Sequence, residues 1–166
     1  MEGNTKSKSR ALLVFGAPCS GKTTFAEKFA KKFGLAFYNL DDIAMSGAFS
    51  RPNLMIILEQ ITKTGATIII EGGIATEKKR AEIRELLVKA GYEVSLIWIQ
   101  TDVNTLRVRM KKRYKTITEA KTAFDDATAK LEAPTESENP IILSGKHTFE
   151  TQTKHVLAGL ADVNSR

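Results

Sequence analysis

Apolar positions along this chain alternate between two rhythms. Apolar-rich runs at 11–15, 66–70 and 93–100 have strand character, and stretches with helical spacing follow each of them. Ala11-Leu12-Leu13-Val14-Phe15 predicts a first strand. Phe25, Ala26, Phe29, Ala30 and Phe33 then share one face of a helix over 22–33, which Gly34 stops. Residues 35–40 predict a short second strand with Asp41-Asp42 at its end. Leu54, Ile57, Leu58 and Ile61 line a helix over 50–63, with Ser50 as cap and Pro52 in the first turn. The run 66–70 reads as a strand covered on both faces and ends at Glu71-Gly72-Gly73. A helix over 76–90 follows, capped by Thr76 and stopped by Gly91, and then a strand over 93–100. Asp102 opens a helix to 114, and a further helical stretch covers 116–131. A loop at 134–139, a strand at 140–143 and a helix over 148–163 close the chain. Phe149, Val156, Leu157, Leu160 and Val163 are the core contacts expected of that helix. Strand and helix alternate throughout, so the expected class is α/β with a parallel sheet and right-handed crossovers. Residues 1–10 are polar and read as a disordered leader, and 11–166 as one domain.

Composition narrows the picture only modestly. The 166 residues are 42% hydrophobic and 27% charged, ordinary for one soluble domain. A net charge of +6 favours anionic ligands without establishing nucleic-acid binding. No apolar run approaches ~18 residues, so no membrane span is expected. The single cysteine, Cys19, excludes an internal disulfide framework and fits a reducing, cytoplasmic setting.

The chemistry concentrates between the first strand and the first helix. Gly16-Ala17-Pro18-Cys19-Ser20-Gly21-Lys22-Thr23 fits Gly-x-x-x-x-Gly-Lys-[Ser/Thr]. A strand, a tight loop and a helix N-terminus make an anion site, because backbone N–H groups and the helix dipole converge there. The loop residues and Thr24 are therefore expected to bind the phosphates of ATP. Lys22 would reach the β and γ phosphates, and the Thr23 hydroxyl would ligate Mg²⁺. Asp41 and Asp42 stand at a strand end that faces the ligand crevice of such sheets. Asp41 is the candidate to orient an acceptor hydroxyl and take its proton; a helix cap or turn residue is the alternative, and Asp42 is a second candidate for either role. Glu71 ends the third strand and could hold a metal-bound water or contact the acceptor; pairing with a nearby lysine is the plainer reading. Arg109 and Arg113 share one helix face, which could equally be a solvated basic surface. Arg107, Lys111 and Lys112 read as surface residues; Arg80 could reach an anionic acceptor, with solvent exposure the plainer reading. Tyr38, Phe49 and Phe124 read as packing. His147 and His155 read as isolated, with no zinc-ligand spacing.

The phosphate loop, the Asp pair, the acid after an Ile run and the Arg-rich helix occur in one order. That order resembles the small P-loop kinases: nucleoside-monophosphate, shikimate and gluconate kinases and the kinase domain of phage polynucleotide kinase, within the AAA-type ATP-binding group. The resemblance implies a three-layer P-loop NTPase fold with five parallel strands in order 2-3-1-4-5 and a small Arg-rich lid at about 107–131. It places Asp41 on the catalytic Asp of the polynucleotide-kinase pattern, and Arg109 and Arg113 on the lid arginines that clamp the transferred phosphoryl group. Cys19 stands where many of these kinases carry Gly. The adenylate-kinase signature Asp-Gly-x-Pro-Arg is replaced by Glu71-Gly72-Gly73-Ile74, and the GTPase guanine signature is absent. The expectation is an ATP- and Mg²⁺-dependent phosphotransferase acting on a hydroxyl or phosphate of a small metabolite. A polynucleotide 5′-hydroxyl kinase and a nucleotide-binding regulatory or toxin-related module with little turnover are the alternatives.

Overall fold

Ala11, Leu13 and Phe15 point into one apolar core, and Leu12 and Val14 into another. The first strand, β1 (Arg10–Gly16), is therefore buried on both faces. It is the central strand of a five-stranded, wholly parallel sheet in a computed structural model that describes residues 9–45 and 50–164. The strands run in the order β2 (Ala36–Asn39), β3 (Ile68–Glu71), β1, β4 (Glu93–Gln100) and β5 (Ile141–Ser144). This is the expected order 2-3-1-4-5. In register, Val14 stands beside Glu71 on one side and Ile97 on the other, which sets the Glu71 carboxylate level with the approach to the phosphate loop.

Helices cover both faces. Phe25, Ala26, Phe29 and Ala30 of α1 (Lys22–Phe33) join Val156 and Leu160 near the C-terminus over one face. Leu58 packs on the other face from α3 (Arg51–Thr62), together with Ile83 and Leu87 of α4 (Glu77–Lys89). The remaining pair, α5 (Val103–Arg113) and α6 (Ile117–Ala129), has its own small core of Leu106, Met110, Ala120 and Phe124. Ala17 and Cys19 of the phosphate loop pack against that core, so this helix pair and the loop share apolar surface. Local chemistry sets the helix starts. The Thr76 hydroxyl accepts from Lys79 N, the Asp102 carboxylate from Thr105 N, and Thr116 forms a reciprocal capping box with Glu119. The closing helix is α7 (Phe149–Asn164). No helix among the described residues is long and apolar enough to cross a membrane.

Several expectations need correction. Leu40, expected to end the second strand, instead opens a short helix, α2 (Leu40–Met45), so the Asp pair lies in a first helical turn. Arg10, assigned to the leader, opens β1, while residues 1–8 lie outside the described residues, as does Phe49. Ser50 makes no side-chain cap bond, and the 134–139 loop contains a 3-10 turn, Glu136–Glu138. Leu157, expected in the core, is exposed. The side chain of Val163 lies outside the described residues.

Arg80 is the largest departure, because it is buried, not solvated. Its guanidinium pairs with Glu138 at 2.6 Å and donates to the carbonyls of Ala75 and Glu132 at 3.2 and 3.0 Å. It also lies over the Phe15 ring, 4.7 Å from the centroid. A buried guanidinium persists only when its donors are this fully occupied. Arg80 thus ties α4 to the segment leading into β5, and it is not available to an anionic acceptor.

Candidate active site

The phosphate loop is shaped by close approach. A Cβ on Gly16 would collide with Ile99 O of β4 and crowd the Ser20 hydroxyl, so only glycine lets the loop leave β1 there. Ser20 N donates to Ala17 O at 3.1 Å, closing the turn, and Cys19 takes a left-handed φ of 60°. No side chain caps α1, whose N-cap is Gly21. Its first N–H groups are left to an anion, the arrangement that binds phosphate.

Lys22 and Thr23 converge on Glu71. The Thr23 hydroxyl donates to Glu71 Oε1 at 2.7 Å, and Lys22 Nζ stands 3.9 Å from the same oxygen. Glu71 is 2% exposed, and among the described residues its Oε2 has no hydrogen-bond partner. Burial pushes the Glu71 carboxyl above the usual carboxylate range; the Thr23 bond and the Lys22 charge oppose the shift, and Asp41 and Asp42 add to it. An orphaned carboxylate oxygen beside a threonine hydroxyl is a hard-oxygen donor set that suits Mg²⁺, which keeps several of its own waters and needs few protein ligands. The residues present therefore fit the metal.

The sign of the pH effect follows from the raised carboxyl. In the window above the unfolded value and below the folded one, the folded chain holds a proton that the unfolded chain has lost, so stability falls as pH rises through it. Glu71→Gln removes the buried charge and keeps an oxygen for the Thr23 hydroxyl. We expect this variant to be more stable than the native chain at neutral pH, on the order of 1 kcal/mol. The gain should shrink as the buffer is acidified, and thermal melting across a pH series measures it.

Asp41 is held from two sides. Asn39 Oδ1 accepts from the N–H groups of Asp41 and Asp42 at 3.1 and 3.3 Å, so Asn39 is the cap of α2 and neither aspartate is. The Asp41 carboxylate accepts from Gly73 N at 2.8 Å. Gly72 makes room for it, since a Cβ there would lie 2.6 Å from Asp41 Cγ. Arg51 braces the same turn by donating to Gly73 O at 3.1 Å while paired with Glu82 at 2.9 Å. Asp42 is exposed. A cavity of about 640 Å³ opens beside Asp41, walled by Ala44 of α2 and by Ala123, Asp126, Ala127 and Lys130 from the α6 side.

Arg109 and Arg113 sit on the opposite flank of the loop. Arg109 donates to Cys19 O at 3.1 Å and Ser20 O at 3.4 Å from one nitrogen, and to Gly145 O at 3.0 Å from the other. It is a strut between the phosphate loop and the turn after β5. Arg113 is exposed and, with Lys22, Thr23 and Thr24, lines a cleft of about 450 Å³ that runs to Gly145 and His147. The turn is secured further by Gly145 N donating to Gln100 O at 2.7 Å and by Lys146, whose bond to Asp102 holds that carboxyl well below its usual range. His147 and His155 are not isolated: their rings meet edge-on at 5.9 Å. No group of three or more metal-binding side chains occurs among the described residues. Arg107, Lys111 and Lys112 are exposed, Tyr38 is half-buried and Phe124 is buried, as expected.

A loop of this geometry, between a central strand and an uncapped helix, defines the P-loop fold. A model of the family described as AAA domain matches residues 12–134, most of the chain. The chain belongs to this AAA-domain family. Solved structures place this AAA domain among small P-loop kinase folds. It superposes on a sugar kinase from Janibacter with a TM-score of 0.69 and 23% identity, covering 92% of this chain and 95% of that one. For a gluconokinase from Sinorhizobium meliloti the TM-score is 0.68 at 17% identity, with 94% of each chain covered. Kti12 from Chaetomium thermophilum, solved with ADP-AlF3, gives 0.69 at 15% identity, over 92% of this chain and 97% of that one. A comparison with curated protein sequences gave no match. At these identities the likeness establishes the shared AAA-type nucleotide-binding fold.

Three contributors were not singled out in the sequence. Asn39 carries a recognisable signal, a capping residue directly before an acidic helical turn. Arg51 and Gly145 carry none, because their partners are distant in sequence.

Proposed function

We propose that this AAA domain is a phosphotransferase. It moves the γ-phosphate of ATP, with Mg²⁺, to a hydroxyl or phosphate of a small nucleoside-, nucleotide- or sugar-like metabolite. The carrying observation is Asp41: a carboxylate pinned by Gly73 N, in the first turn of α2 just after β2 and near the metal-type pair Thr23 and Glu71, facing a second cavity. A cleft at the phosphate loop and a separate cavity beside Asp41 suit a donor and an acceptor. Asp41 orients the acceptor hydroxyl and takes its proton, and Lys22 offsets charge on the transferred group. Thr23 and Glu71 would hold the metal, which when bound neutralises phosphate oxygens. Arg113, exposed at the cleft mouth, is free to meet the phosphoryl group, while Arg109 keeps the loop and the β5–α7 turn in register. The lone thiol of Cys19 fits a cytoplasmic protein.

An acceptor screen with labelled ATP and Mg²⁺ tests this directly. Nucleosides, nucleoside monophosphates, sugars, aminoglycosides and 5′-hydroxyl oligonucleotides are each offered, and transfer to one metabolite class is the expected result. Transfer only to oligonucleotides, with steep salt dependence, would install the polynucleotide kinase that the +6 charge favours. Slow ATP loss indifferent to every acceptor would favour a regulatory module. The engagement of Arg109 by main-chain carbonyls supports that second reading, because one of the two lid arginines is already occupied.

A further inference from the structure

Gln152, in the first turn of α7, is a buried polar side chain that phosphate transfer leaves unused. It is 7% exposed, and it lines the same cleft as Lys22, Arg109 and Gly145. Its side-chain amide nitrogen donates to Ser144 O, at the end of β5, at 2.8 Å. A carbonyl can only accept, so the NH₂ group must face Ser144 and the amide oxygen must face away. Among the described residues nothing donates to that oxygen, and it is not one of the buried polar atoms cut off from solvent. The cleft wall therefore presents an accessible acceptor whose direction is fixed by β5.

The position along the cleft gives this acceptor a meaning. Lys22, Thr23 and Arg113 concentrate positive charge and N–H donors at one end. From there the lining continues past Gly145, packed on Ser20 of the loop, and Phe149, whose ring lies 6.0 Å from Lys28 Nζ, to His147 and Gln152, which add a ring and an amide. A nucleoside triphosphate with its phosphates on α1 puts its base there. Purines differ at ring position six: adenine carries an amine, a donor, while guanine and hypoxanthine carry a carbonyl, an acceptor. Against a fixed amide oxygen the first completes a hydrogen bond, and the second sets two acceptors against each other.

We infer that Gln152 selects the base of the phosphate donor, favouring six-amino purines over six-oxo purines. This rests on the reading of the cleft as the donor site. The residue is a specificity determinant and takes no part in phosphate transfer itself.

Calorimetric titration of the intact protein with the magnesium complexes of ATP, ITP and GTP tests it. Native protein should bind ATP at least ~10-fold more tightly than ITP, the loss of one well-placed hydrogen bond. Gln152→Met keeps the length and removes the acceptor, and should level the two affinities mainly by weakening ATP. N6,N6-dimethyl-ATP, which has no donor hydrogen at position six, should bind the native protein as poorly as ITP, a readout that needs no variant. Equal affinity of the native protein for ATP and ITP, full affinity for the dimethyl analogue, or an unchanged ratio in folded Gln152→Met overturns the assignment while leaving the donor site intact. Failure to bind any triphosphate overturns the donor site, and the assignment with it.

Discussion

Replacing Lys22 with Met should lower the proposed phosphate transfer about 1,000-fold, the scale on which removal of a single charged donor from developing oxygen charge is felt. The structure adds a second consequence. Lys22 Nζ stands 3.9 Å from Glu71 and is one of the two influences that hold the Glu71 carboxyl down. Without it, burial and the Asp41 and Asp42 charges act with less opposition, and the carboxyl rises further. The Lys22→Met chain should therefore lose stability relative to the native chain in neutral and basic buffer and recover it in acid, where the folded state keeps the proton. Combining Lys22→Met with Glu71→Gln should restore the melting temperature but not the activity. Turnover of the double variant below that of Glu71→Gln alone, which by itself removes a proposed metal-holding carboxylate, identifies the lysine as a catalytic group as well as a counter-charge. Steady-state kinetics and a pH series of thermal melts measure both arms. A Lys22→Met chain with native turnover would remove the phosphate loop from the chemistry.

Asp41→Asn should cut transfer at least ~100-fold while leaving ATP affinity nearly unchanged. The substitution is close to isosteric, and an amide oxygen can still accept from Gly73 N, so the α2–β3 turn keeps its shape. Only the capacity to take a proton is lost. If turnover falls and calorimetric ATP binding holds, the aspartate acts on the acceptor. If turnover survives, the proton goes elsewhere, and Asp42 and Glu71 become the groups to substitute next.

The elements that were legible in the chain are those whose cause is local. The phosphate loop is a spacing of two glycines, a lysine and a threonine, and its flanking strand and helix are apolar patterns a few residues long. Glu71 was legible for the same reason, as the acid that terminates an isoleucine run. The exposed and buried faces of α2 could not be read, because six residues are too few to show a helical period, and its start depends on the Asn39 cap. Arg80 looked solvated because its helix is rich in charge, and its burial depends on Glu138 and Phe15, both distant in the sequence. The resemblance singled out Arg109 for a lid, but its contacts with Cys19 and Gly145 follow from how three separate segments meet. The histidine ring contact joins a turn to a helix that only the fold brings together.

The small apolar core under α5 and α6 reaches into the phosphate loop through Ala17 and Cys19. Swinging those helices away would expose that seam to water, at a cost that grows with the apolar surface uncovered. The far wall of the Asp41 cavity carries Asp126 and Lys130 over alanines, with far less grease to separate. A molecule built this way has a stiff side and a loose side. If the two cavities hold donor and acceptor as proposed, traffic at the loose side would proceed while the triphosphate seat stays assembled, so successive acceptors would be tried and discarded on a single loading of donor.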